Sequence, residues 1–341
     1  MSMSRFGLGL YSLLFAIARV TKQSNSKMCS NGFKNLIEFR MIIKKSIFIL
    51  SVNLVLSACG GGGGGGGGDS SVASNPNWNW ASTSESAALD ANSLKLPFVY
   101  SASNSRITDY GTLSNTSTND IVNISINSQR MISTIQLYSS NGNLSLSTSD
   151  LVGSLSSKPF VQYSVKNNPL IVAYAVNPYS ASYAYQFSST WYKLNDLSTG
   201  EVGGFVAGSK TTTSGLTNLT SKNYTGVATG FYTNRFGEPY LLVADLTVQV
   251  NFTTSVATIS LSNTKRAPVT NPNLFTGFAS IDETFTLPIS RGPFNSGTSL
   301  EGSGRQLSIQ FFGPSADEVG GTVVTPLGSD LWRYMYTFGG K

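Results

Sequence analysis

From Pro97 onward, apolar and polar residues alternate along most of the chain. Val122, Ile124 and Ile126 are interleaved with Asn123 and Ser125. Ile135 and Leu137 alternate with Thr134 and Gln136, and the period resumes at Leu144 and Leu146 after Asn141-Gly142. Asn-Gly accepts the two positive φ angles of a type I′ turn, so these two runs predict a tight hairpin. Val161, Tyr163 and Val165 keep the period of two. Ala244, Leu246, Val248, Val250 and Phe252 share one face, and Ala257, Ile259 and Leu261 follow a turn at Thr253-Thr254-Ser255. Leu307, Ile309 and Phe311, then Trp332, Tyr334, Tyr336 and Phe338, supply the last strands. Alternation this frequent predicts sheets with one buried face. Outside the first 58 residues no long stretch shows the 3.6 period of a helix. The pattern separates into residues 93–212 and 213–341. The second segment has room for roughly eight strands of about eight to ten residues, and closing them into a barrel leaves no free edge. The fold class expected is therefore all-β, a β-rich N-terminal domain followed by an eight-stranded antiparallel β-barrel.

The N-terminal 58 residues read differently. Met41-Ile42-Ile43-Lys44-Lys45 is a short basic start, Ser46–Leu56 is a mostly apolar run interrupted by Asn53, and Leu56-Ser57-Ala58-Cys59 closes it before Gly60. Basic, apolar, then small residues is the order of a signal peptide. The run is too short for ~30 Å of hydrocarbon, which takes roughly 20 apolar residues. The four residues ending in Cys59 resemble the lipobox of bacterial lipoproteins. That resemblance implies a diacylglycerol thioether on Cys59, cleavage between Ala58 and Cys59, and acylation of the new amine. Several acyl chains make such an anchor stable, at ~0.8 kcal/mol per buried CH₂. Gly60 in place of Asp lacks the usual inner-membrane retention signal and directs the expectation to the outer membrane, with the body facing the cell exterior. The competing reading, an internal core strand with an ordinary thiol at Cys59, is opposed by the nine glycines that follow. A second apolar run, Gly7–Ala18, ends in Ala16-Ile17-Ala18 and also looks like a cleavage site. Translation from Met41 rather than Met1 would leave 41–58 as the true signal and remove the duplication.

Charge divides at the same place. Residues 1–58 hold eight Lys/Arg against one acid, and residues 59–341 hold fifteen against sixteen. The formal charge of +6 thus belongs to the leader, and a near-neutral body gives no electrostatic reason to expect nucleic acid as a partner. Cys29 would be lost with the leader and Cys59 consumed by lipid, which leaves the body without a thiol. There is no His, so the commonest general base and transition-metal ligand are both missing.

Residues 59–92 are expected to form a tether. Gly60–Gly68 and the Ser/Asn-rich stretch after Asp69 have little to bury and much backbone entropy to lose. About 30 such residues reach about 30 Å on average. Trp78 and Trp80 either stack on a sugar ring, sit at the membrane interface or, as favoured here, pack back onto the first strands.

The segment Phe311-Phe312-Gly313-Pro314-Ser315-Ala316-Asp317-Glu318-Val319-Gly320-Gly321 and the ending Phe338-Gly339-Gly340-Lys341 resemble motifs of the transferrin-binding protein B-like surface lipoproteins. Tyr224–Gly230 is similar to the first barrel strand of that family, Leu241–Phe252 to its next hairpin, and Trp191 with Gly203–Gly208 to the segment leading into the barrel. The match spans roughly residues 185–341; residues 93–184 share only β-richness with the family's variable handle domain. The resemblance implies export by an outer-membrane translocon of the Slam type and capture of a host-derived ligand, with transferrin, haem and host colonisation among known roles. Read from chemistry alone, Gly313, Gly320 and Gly321 suit tight backbone at a barrel corner, Pro314 fixes φ in a turn, and Glu318 is expected to accept hydrogen bonds from turn amides.

Catalytic arrangements are hard to assemble from these residues. A Ser-His-Asp set needs His, and no Gly-x-Ser-x-Gly elbow is present. Gly203–Gly208 followed by Ser209-Lys210-Thr211 fails as a phosphate loop because Lys does not directly follow the second Gly and no helix pattern follows. Asp282-Glu283 and Asp317-Glu318 offer carboxylates for Ca²⁺, with solvated turns as the ordinary role. Haem held by His is excluded; haem held by Tyr stays open beside the packing role of the fifteen Tyr. The expectation is a non-enzymatic, lipid-anchored binding protein with no cofactor. Its expected ligand is a host protein, haem or another iron source, passed to an outer-membrane receptor. The alternative is an adhesive or structural surface protein that contacts a host surface or glycan without nutrient transfer. The ligand-contacting residues are not readable from the sequence.

Overall fold

The computed structural model describes residues 79–83, 86–139, 143–151, 160–165, 170–289, 298–300, 305–325 and 333–341. The leader, Ala58, Cys59, the glycine run, Trp78, Asn141, Gly142 and Trp332 lie outside them. The described residues belong to one compact unit built from two antiparallel sheets of nine strands each, so the all-β expectation holds.

The first sheet contains β1 (Ser86–Ser101), β2 (Arg106–Tyr110), β3 (Ser114–Ile126), β4 (Ile132–Tyr138), β5 (Leu144–Leu146), β6 (Phe160–Val165), β7 (Leu170–Val176), β8 (Gln186–Leu194) and β9 (Thr199–Gly208). Its order is β5-β4-β3-β1-β9-β8-β7-β6, with β2 continuing along β1 beyond β3. The second contains β10 (Ser221–Thr233), β11 (Pro239–Asn251), β12 (Val256–Pro268), β13 (Thr276–Gly277), β14 (Glu283–Pro288), β15 (Thr298–Leu300), β16 (Arg305–Phe312), β17 (Glu318–Val324) and β18 (Arg333–Gly340). Eight of these follow one path, β13-β12-β11-β10-β18-β17-β16-β15, and β14 is a ninth strand on β12.

Alternation explains the burial. In β11, Ala244, Leu246, Val248 and Val250 face one core, joined by Ala257, Ile259 and Leu261 of β12 and by Tyr336 and Phe338 of β18. The curled second sheet encloses this core. Val122, Ile124, Ile135, Leu137, Leu144 and Leu146 line a separate core on the first sheet. Hairpin turns are fixed by side-chain acceptors. Asn127 Oδ1 accepts from the Gln129 and Met131 amides, and Asn234 Oδ1 accepts from those of Phe236 and Glu238, as Asx turns do.

The tether boundary needs correction. Residues 86–92 form strand, and Trp80 is 1% exposed, with its Nε1 donating to the Gln186 carbonyl at 2.8 Å. Trp80 packs edge-on to Tyr179 and Phe187, the packing role favoured for it. Polar composition hid this half of β1 because Ala87, Leu89 and Ala91 fill the inward positions with mostly small side chains. From Leu94 the buried face changes: Leu94, Leu96 and Phe98 point the other way, into a third core. One strand, with irregular pairing at Ala91–Ser93 and Val99–Tyr100, therefore serves two cores, and its hydrophobic period shifts phase at Ser93-Leu94.

That third core lies between the sheets. Leu96, Phe98, Tyr174, Tyr192 and Val202 meet Phe231, Leu241, Val324 and Met335. Phe98 stacks on Tyr192 at 5.3 Å, and Tyr192 on Phe231 at 5.8 Å. Beside it, Thr190 Oγ1 donates to the Thr229 carbonyl at 2.9 Å and lies 2.6 Å from Thr337 Oγ1. Glycine permits this close approach: a Cβ on Gly204 would stand 2.3 Å from Thr337 Cγ2.

Candidate functional site

Turns from both sheets converge at one end of the body. Antiparallel pairing of β1 with β9 sets Val99 beside Thr199, and the Tyr100 amide donates to the Ser198 carbonyl in the β8–β9 turn at 2.7 Å. The Ile107 amide of β2 donates to Gly237 in the β10–β11 turn at 2.8 Å, and Arg106 reaches Glu238 at 3.4 Å. The Tyr174 hydroxyl donates to the Pro272 carbonyl of the β12–β13 connection at 2.6 Å. Four large apolar side chains stand exposed on these segments: Val99 at 46%, Leu197 at 76%, Phe236 at 52% and Leu274 at 55%. The guanidinium carbons of Arg235 and Arg106 lie 4.7 Å and 6.0 Å from the Phe236 ring centroid, an arrangement that adds cation–π attraction to the apolar surface. Exposed apolar groups with arginine and aromatic rings are the composition of protein-contact surfaces. The chain enters the body at Trp80 and Ser86. Ser101, at the other end of the 16-residue β1, is about 50 Å away at ~3.3 Å per residue. The apolar turns therefore sit at the end remote from the point of entry.

The residues singled out by the C-terminal motif lie elsewhere and do a different job. Glu318 opens β17 and is 1% exposed. Its carboxylate accepts from the amides of Ala184 and Tyr185, the latter at 3.0 Å. These are amides of the segment leading into β8 of the first sheet, and not of its own turn, which corrects the sequence reading. Burial pushes the Glu318 carboxyl up to about 7, against the opposing pull of these amides and of Lys341. Lys341 Nζ donates to the Ser182 carbonyl at 2.9 Å, and the Tyr183 hydroxyl donates to the carbonyl of Gly339. Gln186 Nε2 donates to Val319 and Gly340, both at 3.0 Å. The motif is thus a clasp between the sheets.

Its glycines divide into two kinds. Gly313, at φ +82°, occupies the turn with Pro314; its amide donates to Ser209 at 2.8 Å, and its carbonyl accepts from Thr211 Oγ1 at 2.7 Å. Gly320 and Gly321 lie within β17, not at a corner. A Cβ on Gly320 would stand 2.5 Å from Val206 Cγ2, and one on Gly321 2.0 Å from the Ser308 carbonyl oxygen. They allow the first sheet and β16 to approach. Gly203–Gly208 lies within strand β9, with Gly203 against the Trp191 ring.

The acidic pairs are engaged in local structure. Asp317 lies 3.6 Å from Lys222 Nζ. Asp282 accepts from the Asn263 and Thr264 amides at 3.1 and 3.0 Å. Glu283 pairs with Arg305 and accepts from the Tyr334 hydroxyl. Burial raises the phenols of Tyr174, Tyr192, Tyr224, Tyr334 and Tyr336 above their ordinary value, which keeps them neutral. Val99 of β1 and the exposed turn residues Leu197, Phe236 and Leu274 were not singled out from the sequence; for Leu197 and Phe236 a lone apolar residue in a polar turn was the signal. Among the described residues no helix is long and apolar enough to cross a membrane.

No family model and no curated relative matches the chain. Among solved structures it is similar to transferrin binding protein B. A mutant of the vaccine antigen from Haemophilus parasuis Hp5 is 11% identical, with 76% of each chain covered and a TM-score of 0.35. Intact Ap-TbpB, with its N and C lobes, is 12% identical, with 74% of this chain and 76% of that chain covered and a TM-score of 0.34. The isotype 1 protein from serogroup B Neisseria meningitidis is 16% identical, with 75% of this chain and 43% of that chain covered and a TM-score of 0.34. These likenesses carry no argument about what this chain binds.

Proposed function

We propose that this chain is a lipoprotein, anchored in the outer membrane through Cys59 and displayed outside the cell, that binds a host-derived or nutrient ligand and catalyses no reaction. The observation that carries the reading is the exposed Val99, Leu197, Phe236 and Leu274 set, with its stacked arginines, at the end remote from the chain's entry into the body. On a tethered protein that end projects away from the lipid. The lipobox-like Leu56–Cys59, the glycine run and the motif at Phe311–Gly321 support anchoring, display and export through a dedicated translocon. A host protein is the ligand class that fits an exposed apolar and guanidinium surface, and handing its cargo to an outer-membrane receptor is a further part of the proposal.

Protease treatment of intact cells, followed by capture from host serum on purified body, tests both halves. Release of the body by protease and retention of a specific serum protein are expected. A body protected until the cells are lysed would overturn surface display, and capture of nothing from serum or tissue extract would overturn the ligand reading.

A further inference from the structure

We propose that Lys210 and Asn92 become joined by an intramolecular amide bond, made by the protein's own side chains, that ties the first strand of the body to the segment between the two sheets. The inference stands on side-chain placement and does not depend on what the protein binds.

The fold brings the two partners together. Ala91 pairs with Asp120 and Ser93 with Thr116, so Asn92 is skipped in the ladder between β1 and β3, while it keeps its place opposite Val206 of β9. An irregularity of this kind re-aims a side chain. Ala91 and Ser93 are buried on either side, and Asn92 shares the half-buried outer face of β1 with Ala88 and Asp90. Lys210 follows the end of β9, and its backbone is fixed from both sides. The Ser209 amide donates to the Tyr185 carbonyl and the Thr211 amide to the Phe311 carbonyl, both at 2.9 Å, and Lys210 itself bridges to Phe312. Ser209 and Thr211 are buried, and the Lys210 side chain between them turns toward β1. Its Nζ donates to Asn92 Oδ1 at 3.3 Å.

An amine held against a carboxamide is the geometry of amide exchange. The amide carbon of Asn92 lies one C=O bond, ~1.2 Å, from that oxygen. Side-chain rotation therefore brings the Lys210 nitrogen to the ~3–3.5 Å of a near-attack contact. An amine attacks only as the neutral base. Burial lowers the affinity of the Lys210 amine for its proton, against the opposing pull of the Asp90 charge. Asp90 stands two residues before Asn92 on the same face, and its carboxylate relays protons. It takes a proton from Nζ; the freed electron pair forms the Nζ–Cγ bond; the Cγ–Nδ2 bond breaks. Two protons in all pass from Nζ to Nδ2, which leaves as ammonium, and Asp90 ends as the carboxylate it began as. Nothing is oxidised or reduced, and no co-reactant is needed.

The link joins positions 118 apart and constrains the unfolded chain as a long-range cross-link does. It also has a mechanical effect. The chain enters the body at Trp80 and Ser86, so a pull from its N-terminal side arrives first at β1. With Asn92 joined to Lys210, that load passes through covalent bonds into the connection leading to β10, and β1 does not unzip beyond Asn92.

Peptide mass spectrometry of the full protein, purified folded and then denatured and digested, reads the bond directly. The peptides carrying Asn92 and Lys210 are expected as one branched species, lighter than the two together by one ammonia, and trypsin should not cut after Lys210. Lys210→Arg, which keeps the charge, and Asn92→Ala should each give linear peptides only. Asp90→Asn should slow the growth of the branched fraction after synthesis about a hundredfold, as loss of a general base does. Lys265→Gln, exposed on β12, should leave the bond in place. Separate unmodified peptides from the folded wild type overturn the proposal, and a bond that forms at the wild-type rate in Asp90→Asn overturns its proton relay. The wild-type digest decides the matter if a variant does not fold.

Discussion

At the scale of single residues, Glu318 shows how a sequence motif hides its purpose. Its neighbours suggested a local turn, but the amides it binds belong to Ala184 and Tyr185, more than 130 positions earlier. No periodicity reports a partner at that distance. The raised carboxyl has a testable consequence. Between the ordinary value of 4.5 and about 7, the folded protein binds a proton that the unfolded chain does not. Stability from this group is therefore full below the lower value and is lost as pH rises through the upper one. A shift of this size corresponds to about 3 kcal/mol. Thermal or urea unfolding of wild type should show stability falling across this interval, and Glu318→Gln should flatten that slope. An identical slope in the variant would remove Glu318 as its source. Gly313 was legible because a turn written Gly-Pro has few conformations; Gly320 and Gly321 were not, since close approach by another sheet leaves no local mark.

Elements were most legible where one face alone is buried. The inward sets of β11, β12 and β16 follow the period of two without interruption as far as Leu261. β1 was half missed because its burial changes sides at Ser93-Leu94 and its early inward positions include two alanines. The β12 bulge was missed for a related reason: Asn263 looks like an ordinary polar position, and only its pairing shows the extra residue. Asp282 is the side chain that stabilises this irregularity. Asp282→Ala should cost about 1–3 kcal/mol, since two backbone donors lose their acceptor, and should speed amide exchange at Asn263 and Thr264. Unchanged exchange there would mean that the bulge is held by the ladder alone.

For the whole molecule, two curled sheets share a third core and a set of close glycine contacts, and this junction fixes which turns end up side by side. The all-β class and the division of the pattern near residue 212 could be read from alternation, whereas the junction could not, because its apolar residues occupy the second faces of strands already assigned one buried face. Gly320→Val tests the junction: its side chain would enter space held by Val206 and Gln186, and overpacking of this kind costs about 1–3 kcal/mol or more. Urea titration that found no loss of stability would show that the sheets are looser than described. The turns that the junction gathers are the proposed contact surface, set about one β1 length, ~50 Å, from the chain's entry. The most direct test is capture of a host serum protein by intact cells displaying either wild type or the double variant Leu197→Ser, Phe236→Ser. Both side chains are exposed, so the fold should survive and only capture should be lost. Equal capture by both forms, with both at the same level on the cell surface, would contradict the assignment of ligand binding to this end of the molecule.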